Sequence, residues 1–340
     1  MKRLLTILLL PLLGFLLAFF VMEVILRVHF LIKAPPFRPS ETGIELNPNG
    51  SGFEKGAYVK INSQGLRDYE YPLQKAPNTF RIIVLGDSVT FGTGVTMEET
   101  YAKRLEIMLN AGSSQWHYEV LNFGIPGAQT HHELSYFEKK GLRYQPDLLI
   151  LGYFLNDLNP PFEAAVTGGG TTWMSQAIGF VKNQLKRLFA VRLILEKLDL
   201  AFNLDRTVLT RNEDTKTSYW QHIVGMYSTV NYWEQNKVRL RQLERMTKER
   251  NIGFLLVIFP FENQISTIDT SDLRPQSLIE EFCQQEQLHV LNLIQAFKHT
   301  GGHLYLDRDN LHLNDRGHQV AAETIFKALH SQGLIPNTMR

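Results

Sequence analysis

Five residues of this chain have types and settings that could carry one reaction: Ser88, Gly127, Asn156, Asp309 and His312. Ser88 closes the stretch Arg81-Ile-Ile-Val-Leu-Gly-Asp-Ser88, where an apolar run meets a turn. A serine hydroxyl becomes a nucleophile once a base takes its proton. Histidine titrates near neutrality, so His312 can take that proton and return it to a leaving group. Asp309 lies three residues before His312, close enough for a local turn to bring its carboxylate to the other ring nitrogen and fix the tautomer. The backbone N–H groups of Ser88 and Gly127 and the side-chain amide of Asn156 would supply three donors to a developing oxyanion. The chemistry these types suit is acyl transfer. Each also has a plain structural reading, since Gly, Asp and Ser are ordinary turn residues. That reading is preferred for Asp87 and Thr90, as braces of the turn, and for His131 and His132, at the head of a helix. Asn62, Gly65 and Arg67 suit either a turn or the rim of a site.

The elements needed to bring the five together can be read from the apolar pattern. Ile82 to Leu85, Tyr118 to Phe123, Asp147 to Phe154, Phe254 to Phe259 and His289 to Leu293 are short runs of apolar and β-branched residues, expected as buried strands. Helices alternate with them. One is expected after a capping box at Thr96 and Glu99, striped by Tyr101, Leu105, Met108 and Leu109 and stopped at Gly112. A second follows a capping box at Thr130 and Glu133. Others are expected at Val230 to Arg250, at Leu278 to Glu286, and at Asp315 to His330 behind Asn314. Strand–helix alternation means a parallel sheet with helices on both faces. Such a sheet brings its strand ends to one edge, where ligands bind. Ser88, Gly127 and Asn156 follow the first three strands, so they converge there.

Four motifs in this order resemble the SGNH (GDSL-type) hydrolase family: Gly86-Asp87-Ser88, Asn122-Phe-Gly-Ile-Pro-Gly127, Asn156-Asp157, and Asp309-x-x-His312 followed by Gly317-His318. The resemblance spans about Phe80 to Leu329 apart from an insertion. It implies an α/β, three-layer, flavodoxin-like parallel sheet of order 2-1-3-4-5. It also implies ester hydrolysis with no metal and no cofactor, with Ser88, His312 and Asp309 catalytic and Ser88, Gly127 and Asn156 in the oxyanion hole. Where the family has Gly-x-Asn-Asp, this chain has Phe154-Leu155-Asn156-Asp157.

The rest of the chain sets the context. At 340 residues it is one large domain plus an appendage, and a net charge of +1 gives no electrostatic case for nucleic acid. Cys283 is the only cysteine, which excludes an internal disulfide and a cysteine-based metal site. Lys2 and Arg3 precede the apolar run Leu4 to Met22, long enough to cross a bilayer as a helix, with no cleavage signature after it. The expected organisation is an N-terminal transmembrane anchor (1–33), a spacer and surface-packed segment (34–79), and a hydrolase domain (80–335) carrying a helical insertion (158–229). Within that insertion, Ser175 to Leu200 is expected to be helical, as a cap over the site or a packed element. The basic N-terminal residues favour an extracytoplasmic body. Function is therefore expected to be a membrane-anchored serine esterase acting on an acyl ester, such as O-acetyl on a glycan or a lipid. An O-acyltransferase using the same residues on a glycan acceptor, or a noncatalytic glycan-binding or assembly protein, are the competing readings.

Overall fold

The computed structural model describes residues 11, 13–15, 17–25, 34–40, 43–112, 115–158, 213–266, 273–307 and 309–336. They fall into two compact units, 1–35 with 161–209, and 36–160 with 210–340. In the first, residues 17–25 are helical and leave Leu17, Phe20 and Ile25 exposed. Among the described residues no helix is long and apolar enough to cross a membrane. Residues 1–10 and 26–33 of the expected anchor lie outside them, as does the helix expected at Ser175 to Leu200.

The second unit opens with two hairpins, β1 (Phe37–Ser40) with β2 (Gly43–Leu46), and β3 (Ser51–Glu54) with β4 (Ala57–Lys60). Residues Phe37 to Pro39, expected as extended spacer, thus belong to a paired strand. Lys55 and Gly56 form the two-residue turn of the second hairpin, both at positive φ (43° and 85°). Such a turn matches the twist of its strands.

The five expected strands form one parallel sheet: β5 (Thr79–Gly86), β6 (His117–Gly124), β7 (Leu148–Phe154), β8 (Gly253–Phe259) and β9 (His289–Asn292). Their order is β6-β5-β7-β8-β9, the expected 2-1-3-4-5. Strand β5 is bonded on both sides and covered on both faces, which is why Ile82 to Leu85 are wholly buried.

The helices of this unit are α1 (Ser88–Phe91), α2 (Tyr101–Ala111), α3 (Thr130–Lys139), α4 (Glu213–Ser228), α5 (Val230–Lys248), α6 (Glu262–Ser266), α7 (Arg274–Gln285), α8 (Ile294–Thr300) and α9 (Asp315–Ser331). The step from β5 to β6 runs one way across the sheet and all later steps run the other. Right-handed crossovers therefore put α2 on one face and α3, α5 and α7 on the other. Packing agrees, with α9 against α2, and α5 against α3 and α4. Helix α4, from the C-terminal end of the 158–229 stretch, buries Trp220 and Ile223 in the main core.

Two helix starts differ from expectation. The Glu99 carboxylate does accept from the Thr96 N–H (2.8 Å), yet α2 begins at Tyr101, capped by the Thr100 hydroxyl. Thr130 and Glu133 form no capping box: Gln129 is the cap residue, and Glu133 is buried with neither carboxyl oxygen hydrogen-bonded within the protein. Tertiary burial of that side chain outweighs the local signal.

Candidate active site

The turn that carries Ser88 rests on glycines. Gly86 is level with Gly124 of β6 on one side and Gly152 of β7 on the other. A Cβ at Gly86 would lie 2.1 Å from Thr90 Oγ1, and one at Gly124 would lie 2.1 Å from the Phe91 nitrogen. The missing side chains let α1 sit directly on the sheet edge. Asp87 caps it, Oδ1 accepting from the Val89 N–H (2.8 Å), and the Thr90 hydroxyl meets Tyr101 Oη at 2.7 Å. Both brace the turn, as expected.

Ser88 heads α1. Its Oγ lies 2.9 Å from His312 Nε2, and His312 Nδ1 lies 2.7 Å from Asp309 Oδ2. With the carboxylate as acceptor, the ring proton sits on Nδ1 and Nε2 is left to accept from the serine hydroxyl. Asp309 Oδ1 accepts from the backbone N–H groups of Leu311 (2.9 Å) and His312 (3.1 Å), which fixes its rotamer. Burial alone would raise the Asp309 carboxyl. The hydrogen bond and charge of His312, then those of Lys55, outweigh it and hold Asp309 well below the usual carboxylate range.

The loop carrying Asp309 and His312 is tied at its base. Leu306 N–H bonds to the His312 carbonyl (2.9 Å), and Tyr305 bridges to Leu313. Asn314 closes the loop with Nδ2 on the carbonyls of His303 and Tyr305, while its Oδ1 caps α9. His318, one turn into α9, accepts from the Tyr101 N–H at 3.2 Å and stacks on that ring. Burial lowers its pKa to about 3, so it is neutral near neutral pH.

Gly127 stands in the loop after β6 at φ 75°, and Asn156 is half-buried just after β7. These strands flank β5, so Ser88, Gly127 and Asn156 follow three adjacent strand ends. Gly124, the last residue of β6, gives its N–H to Asn122 Oδ1 (2.9 Å).

Three features add to the sequence reading, which placed Arg67 either in a turn or at the rim and gave Lys55 no role. Lys55, at the tip of the β3–β4 hairpin, sets its ammonium 2.6 Å from Asp309 Oδ2 and 3.4 Å from His312 Nδ1. The Lys-Gly pair signals a turn, but nothing local says what its tip touches. Arg67 is almost wholly buried. It donates to the carbonyls of Phe91 (2.9 Å), Gly92 (2.6 Å) and Val95 (2.5 Å) and lies over the Phe91 ring. It thus grips the loop that follows Ser88 and α1. Asn62 and Gly65, expected either at the rim or in a turn, form the turn that delivers Arg67, with Asn62 Oδ1 accepting from Gln64 and Leu66. Third, Asp87, Glu133 and Asp157 are buried carboxyls that repel one another. Burial and then that repulsion push Glu133 and Asp157 well above the usual carboxylate range. His131 and His132 lie at the head of α3 with their rings 3.8 Å apart and tilted by 41°.

A family model described as the GDSL-like Lipase/Acylhydrolase family matches residues 84–320. Over 133 residues the chain is 27% identical to an acetylxylan esterase of Xylanibacter ruminicola, covering 36% of this chain and 27% of the relative. The chain therefore spans about a quarter (27%) of the length of that curated relative. Similar solved structures include a catalytic mutant of an acetylxylan esterase from Geobacillus stearothermophilus, at TM-score 0.47 and 14% identity over 77% of this chain and 96% of that one. An esterase from Pseudoalteromonas inhibited by monoethylphosphonate is similar at TM-score 0.42 and 14% identity, over 75% and 98% of the two chains.

Proposed function

Because the chain belongs to the GDSL-like lipase/acylhydrolase family, and so to the carboxylic ester hydrolases, we propose that it cleaves an acyl ester through Ser88, His312 and Asp309. The observation that carries this reading is the unbroken row Ser88 Oγ, His312, Asp309, at 2.9 and 2.7 Å. Ser88 Oγ attacks the acyl carbonyl while His312 Nε2 takes its proton. Asp309 holds the ring in the right tautomer and balances the imidazolium. The negative oxygen of the tetrahedral intermediate is met by the N–H groups of Ser88 and Gly127 and the amide of Asn156. His312 gives its proton to the departing alcohol, leaving an acyl-serine. Water, activated by the same histidine, then releases the acid.

The acyl group we propose is acetyl on a polysaccharide hydroxyl, in line with the curated relative named as an acetylxylan esterase. The reading includes membrane anchoring by Leu4 to Met22 with the catalytic unit extracytoplasmic. It is supported by Lys2 and Arg3 ahead of the apolar run and by the exposed Leu13, Phe15, Leu17 and Phe20. Labelling the full-length chain with a fluorophosphonate and mapping the modified peptide tests the nucleophile without knowledge of the substrate. Modification at Ser88, abolished in Ser88→Ala, is the expected result; equal labelling of that variant would sink the assignment.

A further inference from the structure

Asp309 Oδ2 is shared. His312 Nδ1 meets it at 2.7 Å, and Lys55 Nζ, from a hairpin 254 residues earlier in the chain, meets it at 2.6 Å. The two donors, Lys55 Nζ and His312 Nδ1, stand 3.4 Å apart. Since Nδ1 carries a proton toward the carboxylate, the ammonium and the ring are neighbours that both donate to one oxygen and do not bond to each other. We propose that Lys55 is a positioning residue of the triad, which acts through Asp309 to keep His312 in its neutral, proton-accepting form at lower pH than the Asp–His pair alone would allow. The inference rests on the reading of His312 as the base.

The geometry makes this more than an incidental ion pair. The hairpin tip is held in one conformation by its two positive-φ residues, Lys55 and Gly56. The hairpin is seated in turn: Val59 and Ile61 are buried in a small cluster with Leu46 and Phe91, the last residue of α1. The element that presents the ammonium is therefore packed against the helix that presents the nucleophile. Lys55 keeps about a quarter of its side chain exposed (26%), against 12% for Asp309, so its charge is partly desolvated.

Two effects follow, and they have the same sign. An ammonium beside the imidazole repels the imidazolium. It also neutralises part of the Asp309 charge that would otherwise favour the imidazolium. Both make the ring give up its proton more readily. Among the described residues, Asp87, from the turn before Ser88, and His318, from α9, also face His312. Asp87 favours the imidazolium, while His318 is buried and neutral. Lys55 is thus the group that opposes protonation of the base from the hairpin side.

The test is the pH dependence of fluorophosphonate labelling of the full-length chain, which reads the Ser–His pair without a substrate. The parent protein is compared with Lys55→Met and Lys55→Arg, with thermal melting of each. At this separation, with partial solvent screening, the acid limb of Lys55→Met is expected about one pH unit higher. At a fixed pH on the limb, labelling then falls about tenfold. Lys55→Arg, which keeps the charge, restores most of the shift. A merely structural lysine would scale the profile down and leave its limb in place. That result, or a Lys55→Arg profile overlying that of Lys55→Met, overturns the proposal. Should Lys55→Met fail to melt cooperatively, Lys55→Asn carries the same test, because asparagine tolerates the left-handed backbone at this position. Labelling that does not depend on Ser88 would defeat the catalytic reading instead. Ser88-dependent labelling with an unmoved limb defeats this inference alone.

Discussion

Replacing Arg67 with methionine removes the grip of residues 62–71 on the loop after the nucleophile. The guanidinium donates to three carbonyls and sits in a buried position. Gly92 keeps a second donor, the Val95 N–H, so the carbonyls of Phe91 and Val95 are the two that lose most. A buried acceptor stripped of its donor costs about 1–3 kcal/mol, which puts the loss at about 2–6 kcal/mol for the pair. Burial also lowers the Arg67 pKa to about 10, so the residue is charged at neutral pH and its own desolvation offsets part of what its bonds contribute. The expected net loss is about 3 kcal/mol, or a fall in melting temperature of about 6–12 °C for a unit of this size. Arg67→Lys, with one donor group in place of a fork, should lie between. The loop begins at Gly92, whose N–H bonds to the Ser88 carbonyl, so fluorophosphonate labelling should slow even at temperatures where the variant is folded. Chemical denaturation and labelling rate, measured on the same full-length protein, decide the matter. A variant within about 0.5 kcal/mol of the parent, the range of an ordinary surface change, with unchanged labelling would show that these bonds do not hold the loop.

Further outcomes are expected. Asp309→Asn keeps the shape of the loop but loses the charge that fixes the ring tautomer, so labelling should fall on the order of ten-thousandfold, as in other triads. Gly86→Ala places a methyl 2.7 Å from the Gly152 carbonyl and against Thr90, so it should cost about 3 kcal/mol or more in urea unfolding and yield little soluble protein. His318 has a folded-state pKa lowered to about 3, so between there and about 6.5 the unfolded chain binds a proton that the folded chain does not. Stability therefore falls as pH drops through this window. Asp68, pushed up to about 6 by burial against the pull of Lys103, acts in the opposite sense at its upper end. The measurement is consequently the difference in slope of melting temperature against pH between the parent and His318→Gln, which should be less acid-sensitive. Equal slopes would mean that His318 is protonated without penalty.

The sheet was legible because its strands are buried on both faces. A run such as Leu148 to Phe154 leaves no polar residue to suggest anything else, and the three residues after such strands were placed at one edge by topology alone. Helix starts were less legible, because a capping signal is local and burial is not. Glu133 fits the spacing of a capping box and yet lies inside the protein, beside Asp87 and Asp157. Ser88, Asp309 and His312, singled out by their motifs, stand in one hydrogen-bonded row. The contact of Lys55 was not legible, and Arg67 was readable only as turn or rim, since each acts on partners far along the chain: 254 residues for Lys55, and 24 to 28 for Arg67. No period or spacing in the sequence encodes those meetings.

The separation between Lys55 and Asp309 also has a consequence in time. The hairpin leaves the ribosome 254 residues ahead of the loop it must touch. At about 5–20 residues per second, it waits on the order of 10–50 s for its partner to be made. Strand β5 does not share this delay on either side, for its neighbours β6 and β7 follow it soon after. Contacts of such long range carry the largest chain-closure cost and favour slow assembly. Ser88 and strands β5, β6 and β7 are thus made well before the loop of Asp309 and His312, which can meet them only near the end of synthesis.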